Sequence, residues 1–346
     1  MVASTIMRRV TSILIASLVF SALRMFAFPL AAAPHKNKKL SSTEIQAILH
    51  RAKKLTDIEA PGSPPFTLIA NARYTLGDTT TVGTLGISWS APDLFRREFS
   101  LPGFHEVELV SGGKLYRLRD TNYLPYAVRH WLTMIRVTEN LYIGSHPHML
   151  KPKDFPQQWA ARPDVYCFRA KTFGEQNTLC LDRSTNEALS LDRKWGGKSE
   201  SWSFKDYGSA GGIRFPRRIA VRDWLGFHGE IDIQKIAAVQ KFAANEFTPL
   251  AGAVALPWCE HPAYRTSEAM RAISPVTVSD DSGDKAPVLA YELIGVDGRV
   301  KKYMQLYPQR GPLNDHQFRW LADSPTLEKT CGGKAIPYER FFSSNL

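Results

Sequence analysis

The sequence predicts an α+β protein: one long antiparallel sheet with helices at defined insertions, then a small second α+β unit. Three observations carry this. Apolar residues recur with a period of two through most of 66–239. Two segments, Ser41–Asp57 ahead of that stretch and Pro125–Asn140 within it, carry a helical period instead. A strand, an Asp-Gly turn and a return strand appear again near the C-terminus. The length of 346 residues fits two domains rather than one. Apolar content of 44% and charged content of 22% exclude a mostly disordered chain. A single strongly apolar stretch excludes a multi-span membrane protein. Four cysteines are too few for a disulfide-dense mini-protein.

Residues 1–33 read as a targeting segment. Arg8 and Arg9 form a positive start, Val10–Leu23 is apolar, and Ala31-Ala32-Ala33 offers a cleavage site. Arg24 and the apolar Met25–Leu30 keep a retained N-terminal anchor as the alternative. Cleavage removes three arginines and no acid, taking the formal charge from +11 to +8. In an exported chain that surplus is either solubilising charge or an attraction to an anionic membrane surface. Nucleic acid is not an expected partner.

The elements follow in order. Ser41 and Glu44 fit a capping box, and Ile45, Ile48, Leu49, Ala52 and Leu55 form one face of the first helix. Ala60–Pro65 breaks the chain. Phe66, Leu68, Ala70, Ala72 and Tyr74 then alternate with polar residues, as do Leu85, Ile87 and Trp89. Phe95, Phe99 and Leu101 share a side; Val107 and Leu109 share another, and Leu115–Arg119 continues the series. Such consecutive strands form a meander with one apolar face. Pro125 opens the second helix, with Val128, Trp131, Leu132 and Ile135 as its apolar stripe. Asp164–Ala170, Asn177–Asp182, Ala188–Trp195, Ile219–Trp224 and Gly229–Val239 are again strand-like. Residues 251–285 read as a linker. In the second unit, 286–346, Val288–Gly295 and Arg299–Tyr307 flank the Asp297-Gly298 turn. A short helix over Leu313–Ala322 and a last strand over Lys334–Phe341 complete it.

An even cysteine count in an exported chain points to disulfides. Cys167 and Cys180 fall in neighbouring strands of one hairpin, which favours that pair and leaves Cys259 with Cys331. There is no HExxH, GxSxG, Walker or GxGxxG motif. His146-Pro147-His148 lacks a third metal ligand at readable spacing, and Asp280-Asp281 with Asp284 lacks the calcium-loop pattern. No metal, cofactor or catalysis is expected. Were the chain an enzyme, His146, His148 and Asp154 would be the first residues to inspect. The aromatic residues are more informative. Trp89, Phe95, Phe99, Trp131, Trp195 and Trp202 either fill a core or line an apolar cavity.

Two resemblances sharpen this. In residues 41–250, the leading helix, the strand run and the stretch GGIRFPRRIAVRDWLGFHGEIDIQKIAAVQKFAANEFTPL resemble the LolA-like family of envelope lipoprotein carriers and related binding domains. The resemblance implies a curved, unclosed antiparallel half-barrel with helices as a lid, non-enzymatic and binding apolar ligands. The stretches YELIGVDGRVKKYMQLYP and LNDHQFRWLADSPTLEKTCGGKAIPYE are similar to the C-terminal domain of TonB-type proteins. That similarity implies a small α+β module whose edge strand pairs with a partner peptide. The expected ligand cavity is Leu68, Ala70, Tyr74, Leu85, Ile87, Trp89, Phe95, Phe99 and Trp131. The expected partner edge is Tyr303, Gln305 and Tyr307, or Ile336 and Tyr338. The function expected is an exported periplasmic or envelope protein that binds a lipid or acylated ligand and docks a protein partner. The alternative is a TonB-like interaction scaffold with no ligand cavity.

Overall fold

The computed structural model describes residues 40–56, 58–59, 62–135, 141, 143–144, 146–172, 175–224, 226–258, 287–307, 329–331 and 334–345. The expected targeting segment 1–33, Cys259, Asp280-Asp281, Asp284 and the expected helix over Leu313–Ala322 lie outside these residues. No helix among the described residues is long and apolar enough to cross a membrane.

The first helix, α1, spans Ser42–Thr56. Its capping box forms as the sequence predicts. The Ser41 N–H donates to Glu44 Oε2 at 2.8 Å, and the Glu44 N–H returns to Ser41 Oγ at 3.2 Å. Ile45, Ile48 and Ala52 are buried where α1 lies against the sheet.

Five strands follow: β1 (Phe66–Leu76), β2 (Thr79–Ala91), β3 (Leu94–Leu101), β4 (Phe104–Ser111) and β5 (Lys114–Arg119). The second helix, α2, covers Tyr126–Ile135; the Val128 and Arg129 N–H groups both donate to the Pro125 carbonyl. Then come β6 (His148–Met149), β7 (Val165–Thr172), β8 (Glu175–Asp182), β9 (Ala188–Trp195), β10 (Lys198–Ala210), β11 (Ile213–Arg222), β12 (His228–Ala238) and β13 (Val254–Pro257). Among the described residues these make one antiparallel sheet of thirteen strands, ordered β13-β5-β4-β3-β2-β1-β12-β11-β10-β9-β8-β7-β6. It is two meanders joined where β1 pairs with β12, Ala70 opposite Ile233. Both edge strands are very short, which blunts edge-to-edge aggregation. Sheets this wide curl. Register shifts at Ile69/Ala70, Trp89/Ala91 and Cys180/Leu181 add local bends.

Two glycines set how closely α2 approaches. A Cβ on Gly83 would lie 2.5 Å from the Ser100 carbonyl oxygen and 2.7 Å from the Trp131 ring. A Cβ on Gly229 would lie 3.0 Å from Met134 Sδ and 2.7 Å from the Phe227 ring. Bare backbone at these points lets α2 press its side chains onto β2 and β12.

The opposite face carries its own cover. Cys167 and Cys180 stand directly opposite in β7 and β8 and form the expected disulfide. With Leu150 and Val165 they pack under Phe155 and Trp159, which belong to the 3₁₀ turns around 152–159. Trp159 Nε1 pins this cover by donating to Ser190 Oγ at 2.8 Å. After β12 the chain crosses the outer side of β2–β5, where Ser88 Oγ donates to Glu246 Oε1 at 2.6 Å. A shallow cleft with a cavity volume of only about 10 Å³ lies beneath this crossing, between Leu109 and Leu118 on one side and Thr248 and Leu250 on the other.

Two expectations need correction. The stretch read as linker from residue 251 contains β13, paired with β5 through Leu256 opposite Leu115. Four residues are too few for a period to register. The last strand is two: β17 (Lys334–Ile336) pairs with β16 (Lys329–Cys331), and β18 (Tyr338–Asn345) pairs with β14 (Pro287–Ile294). Pro337, which has no N–H to give to a ladder, separates them. The return strand of the hairpin, β15 (Val300–Tyr307), completes a three-stranded sheet ordered β15-β14-β18. Its Asp-Gly turn closes as predicted, with Gly298 at φ 70° and the Arg299 N–H donating to Asp297 Oδ1.

Candidate functional site

The face of the sheet under α2 is amphiphilic, and strand register shows how. Phe66, Trp89, Phe95, Val110 and Leu115 form one row across β1 to β5. The next row reads Leu68, Ile87, Arg97, Glu108, Arg117, and the third Ala70, Leu85, Phe99, Glu106, Arg119. Apolar side chains thus fill the β1–β2 side, and two rows turn charged towards β5.

All nine residues expected at the cavity lie here and are buried by the chain itself, none more than 8% exposed. Trp89 stacks between Phe66 and Phe95, with ring centroids at 6.3 and 5.5 Å. Trp258, just after β13, closes edge-on over Phe95 at 5.4 Å. Tyr74 and Phe227 pack at 4.8 Å, and His130 of α2 sits 4.1 Å from Phe227 and 4.2 Å from Tyr126. Burial and the neighbouring Arg129 charge hold His130 neutral, its pKa down at about 3. The indole N–H groups of Trp89, Trp131 and Trp202 and the Nδ1 of His130 are buried with no hydrogen-bond partner. An unmet buried donor costs about 1–3 kcal/mol, and native structures carry few of them.

The charged end is a connected network. The Arg97 guanidinium grips both oxygens of Glu59, at 2.9 and 2.7 Å, and so ties the segment after α1 to β3. Arg117 donates to Glu108 at 2.8 Å, and Arg119 pairs with Glu106. The fourth carboxylate, Glu339, comes from β18. It receives Arg119 Nη1 at 2.5 Å, Arg119 Nη2 at 3.2 Å and the Tyr291 hydroxyl at 2.9 Å. Arg117 Nη1 stands 3.5 Å from its other oxygen. Burial pushes Glu106 upward, and the adjacent Glu108 charge adds to that. Burial also works against Glu108 and Glu339, but the arginines overcome it and hold both below the usual carboxylate range. The small sheet therefore docks through an ion pair onto the long one.

The sequence reading did not find this network. A usable signal was present: Arg97 falls in step with Phe95 and Phe99, and Arg117 with Leu115. Charges at inward positions of a period-two pattern are the anomaly to look for. The other expected residues are dispersed. His146, His148 and Asp154 are exposed around the β6 edge. Tyr303, Gln305 and Tyr307 lie on β15, an edge of the small sheet, with Tyr303 half-buried. Ile336 and Tyr338 are buried. The Cys259–Cys331 pairing lies outside the described residues.

No family model matches the chain, and no curated protein matches it. Several solved structures are similar to it. A LolA superfamily protein from Nitrosomonas europaea is 13% identical, over 59% of this chain and 96% of its own, at a TM-score of 0.36. A DUF1329 family protein from Desulfovibrio piger is 10% identical, over 59% and 96%, at 0.38. A domain described as an outer membrane lipoprotein-sorting protein, from Vibrio parahaemolyticus, is 12% identical, over 58% and 95%, at 0.35.

Proposed function

We propose that this is an exported, non-enzymatic envelope protein that holds a lipid or acylated ligand against the helix-covered face of a half-barrel sheet. One observation carries the reading: three buried tryptophan N–H groups on a largely apolar face, none with an acceptor. An acyl ester or amide brings carbonyl oxygens to such donors and apolar surface to Leu68, Leu85, Ile87 and Phe99, each buried CH₂ contributing about 0.8 kcal/mol. Entry requires α2 to lift from Gly83 and Gly229, so the helix serves as a lid. The sequence resemblance to the LolA-like carriers supports the same ligand class. Partner docking falls to β15, Tyr303–Tyr307, which is an edge strand of the small sheet among the described residues and so suited to strand addition.

The interaction scaffold remains the second reading, favoured by the burial of all nine cavity residues. Native mass spectrometry of protein purified from its own envelope separates the two. The carrier reading expects a bound mass that is released as lipid on organic extraction. Protein that is lipid-free, and stays so after incubation with an extract of that envelope, overturns it.

A further inference from the structure

Glu339 is placed as a ligand would be. It enters from outside the long sheet, on a strand of another sheet, and its carboxylate meets a fork of donors. Arg119 offers two N–H donors to its two oxygens, Tyr291 adds a hydroxyl, and Arg117 stands at 3.5 Å. Such parallel pairing is the geometry by which arginine selects carboxylates. The fork lies at the charged end of two rows whose other ends are apolar: Arg119, Glu106, Phe99, Leu85, Ala70 and Arg117, Glu108, Arg97, Ile87, Leu68. A face serving only to pack would gain as much from apolar residues there, since buried ion pairs barely repay their desolvation.

We propose that Arg117 and Arg119 form the acid-headgroup site of the bound amphiphile, that its class is an acyl ester or amide carrying a free carboxylate, and that Glu339 fills the site when no ligand is present. The inference rests on the amphiphile reading above and adds the headgroup to it. The ligand's carboxylate takes the fork, its chain runs along the rows towards β1, and β18 is released from β5. The C-terminal sheet is then a latch whose undocking reports occupancy. Because Glu339 is tethered, it competes at a high effective concentration and lowers apparent affinity by the fraction of time the site is closed.

The test is calorimetric titration of the full chain with dodecanoate, dodecyl phosphate and dodecanol, in wild type and Glu339→Gln. Glutamine keeps an acceptor for Tyr291 and removes the competing charge. Dodecanoate affinity is expected to rise roughly tenfold in the variant, the worth of one charged hydrogen-bond pair, with dodecanol unchanged. Equal gains for dodecanoate and dodecanol, or no gain for either, overturn the headgroup site and leave the amphiphile reading standing. A larger gain for dodecyl phosphate than for dodecanoate overturns the carboxylate assignment. Failure of every amphiphile to bind either protein removes both readings. A measurement on wild type alone guards against a misfolded variant. The carboxyl carbon of bound ¹³C-dodecanoate should titrate below the free acid in the NMR spectrum. Titration at or above the free value contradicts a site between two arginines.

Discussion

His130 stays neutral because α2 presses it against Phe227 and Tyr126, out of water and beside Arg129. The sign of its effect on stability follows. In the unfolded chain the imidazole protonates below about 6.5, while in the folded chain it resists to about 3. Its contribution is complete above the first value and is lost as pH falls towards the second. Relative to His130→Phe, the wild type should lose about 1.4 kcal/mol per pH unit across that window. Urea unfolding of both proteins at several pH values measures it; parallel pH curves would show that His130 is solvated. Gly83 makes a second, sharper prediction. Its missing Cβ would meet the Ser100 carbonyl and the Trp131 ring. Gly83→Ala should cost about 2 kcal/mol of unfolding free energy in a urea titration, as overpacking does, whereas Gly86, whose Cβ position lies 4.0 Å from the Glu98 Cβ, offers no such clash.

The elements differ in how openly the sequence declares them. The capping box of α1, the strand alternation from Phe66 and the Asp297-Gly298 turn were legible because each depends on neighbours in the chain. So was Cys167 opposite Cys180, since a hairpin fixes which residues face each other. Reducing that disulfide, or replacing both residues with alanine, should cost about 3 kcal/mol for so short a loop. The loss should appear as a fall in thermal midpoint, and an unchanged midpoint would mean the cover of Phe155 and Trp159 holds the hairpin unaided. By contrast, β13 is too short to show a period, and β10 is largely polar on its outer side, so neither was legible. The pairing of β1 with β12 depends on residues more than 150 positions apart, beyond any local pattern.

For the assembled protein, the long antiparallel sheet and the buried apolar positions beneath α2 were legible in the sequence, but not the charges beside them. Arg97, Glu106, Glu108, Arg117 and Arg119 meet only when the three strands β3, β4 and β5 align, and Glu339 reaches them only when the C-terminal sheet docks. Acid should undo that docking. Glu339 and Glu108 are held below the usual carboxylate value of 4.5, so their contribution is present above it and lost as pH falls through their lowered values. Limited proteolysis of the C-terminal sheet should accelerate there in wild type, and Glu339→Gln should show that susceptibility already at neutral pH. The most direct test of the ligand reading uses the tryptophans themselves. The chain has eight, and Trp159, already bonded to Ser190, is an internal reference. With ¹⁵N-labelled indoles, adding methyl dodecanoate should shift at least one of the N–H resonances of Trp89, Trp131 and Trp202 downfield as it gains the ester carbonyl as acceptor, leaving Trp159 in place. Three unmoved resonances at saturating ester would contradict a ligand on this face and leave a core that is filled by the chain alone.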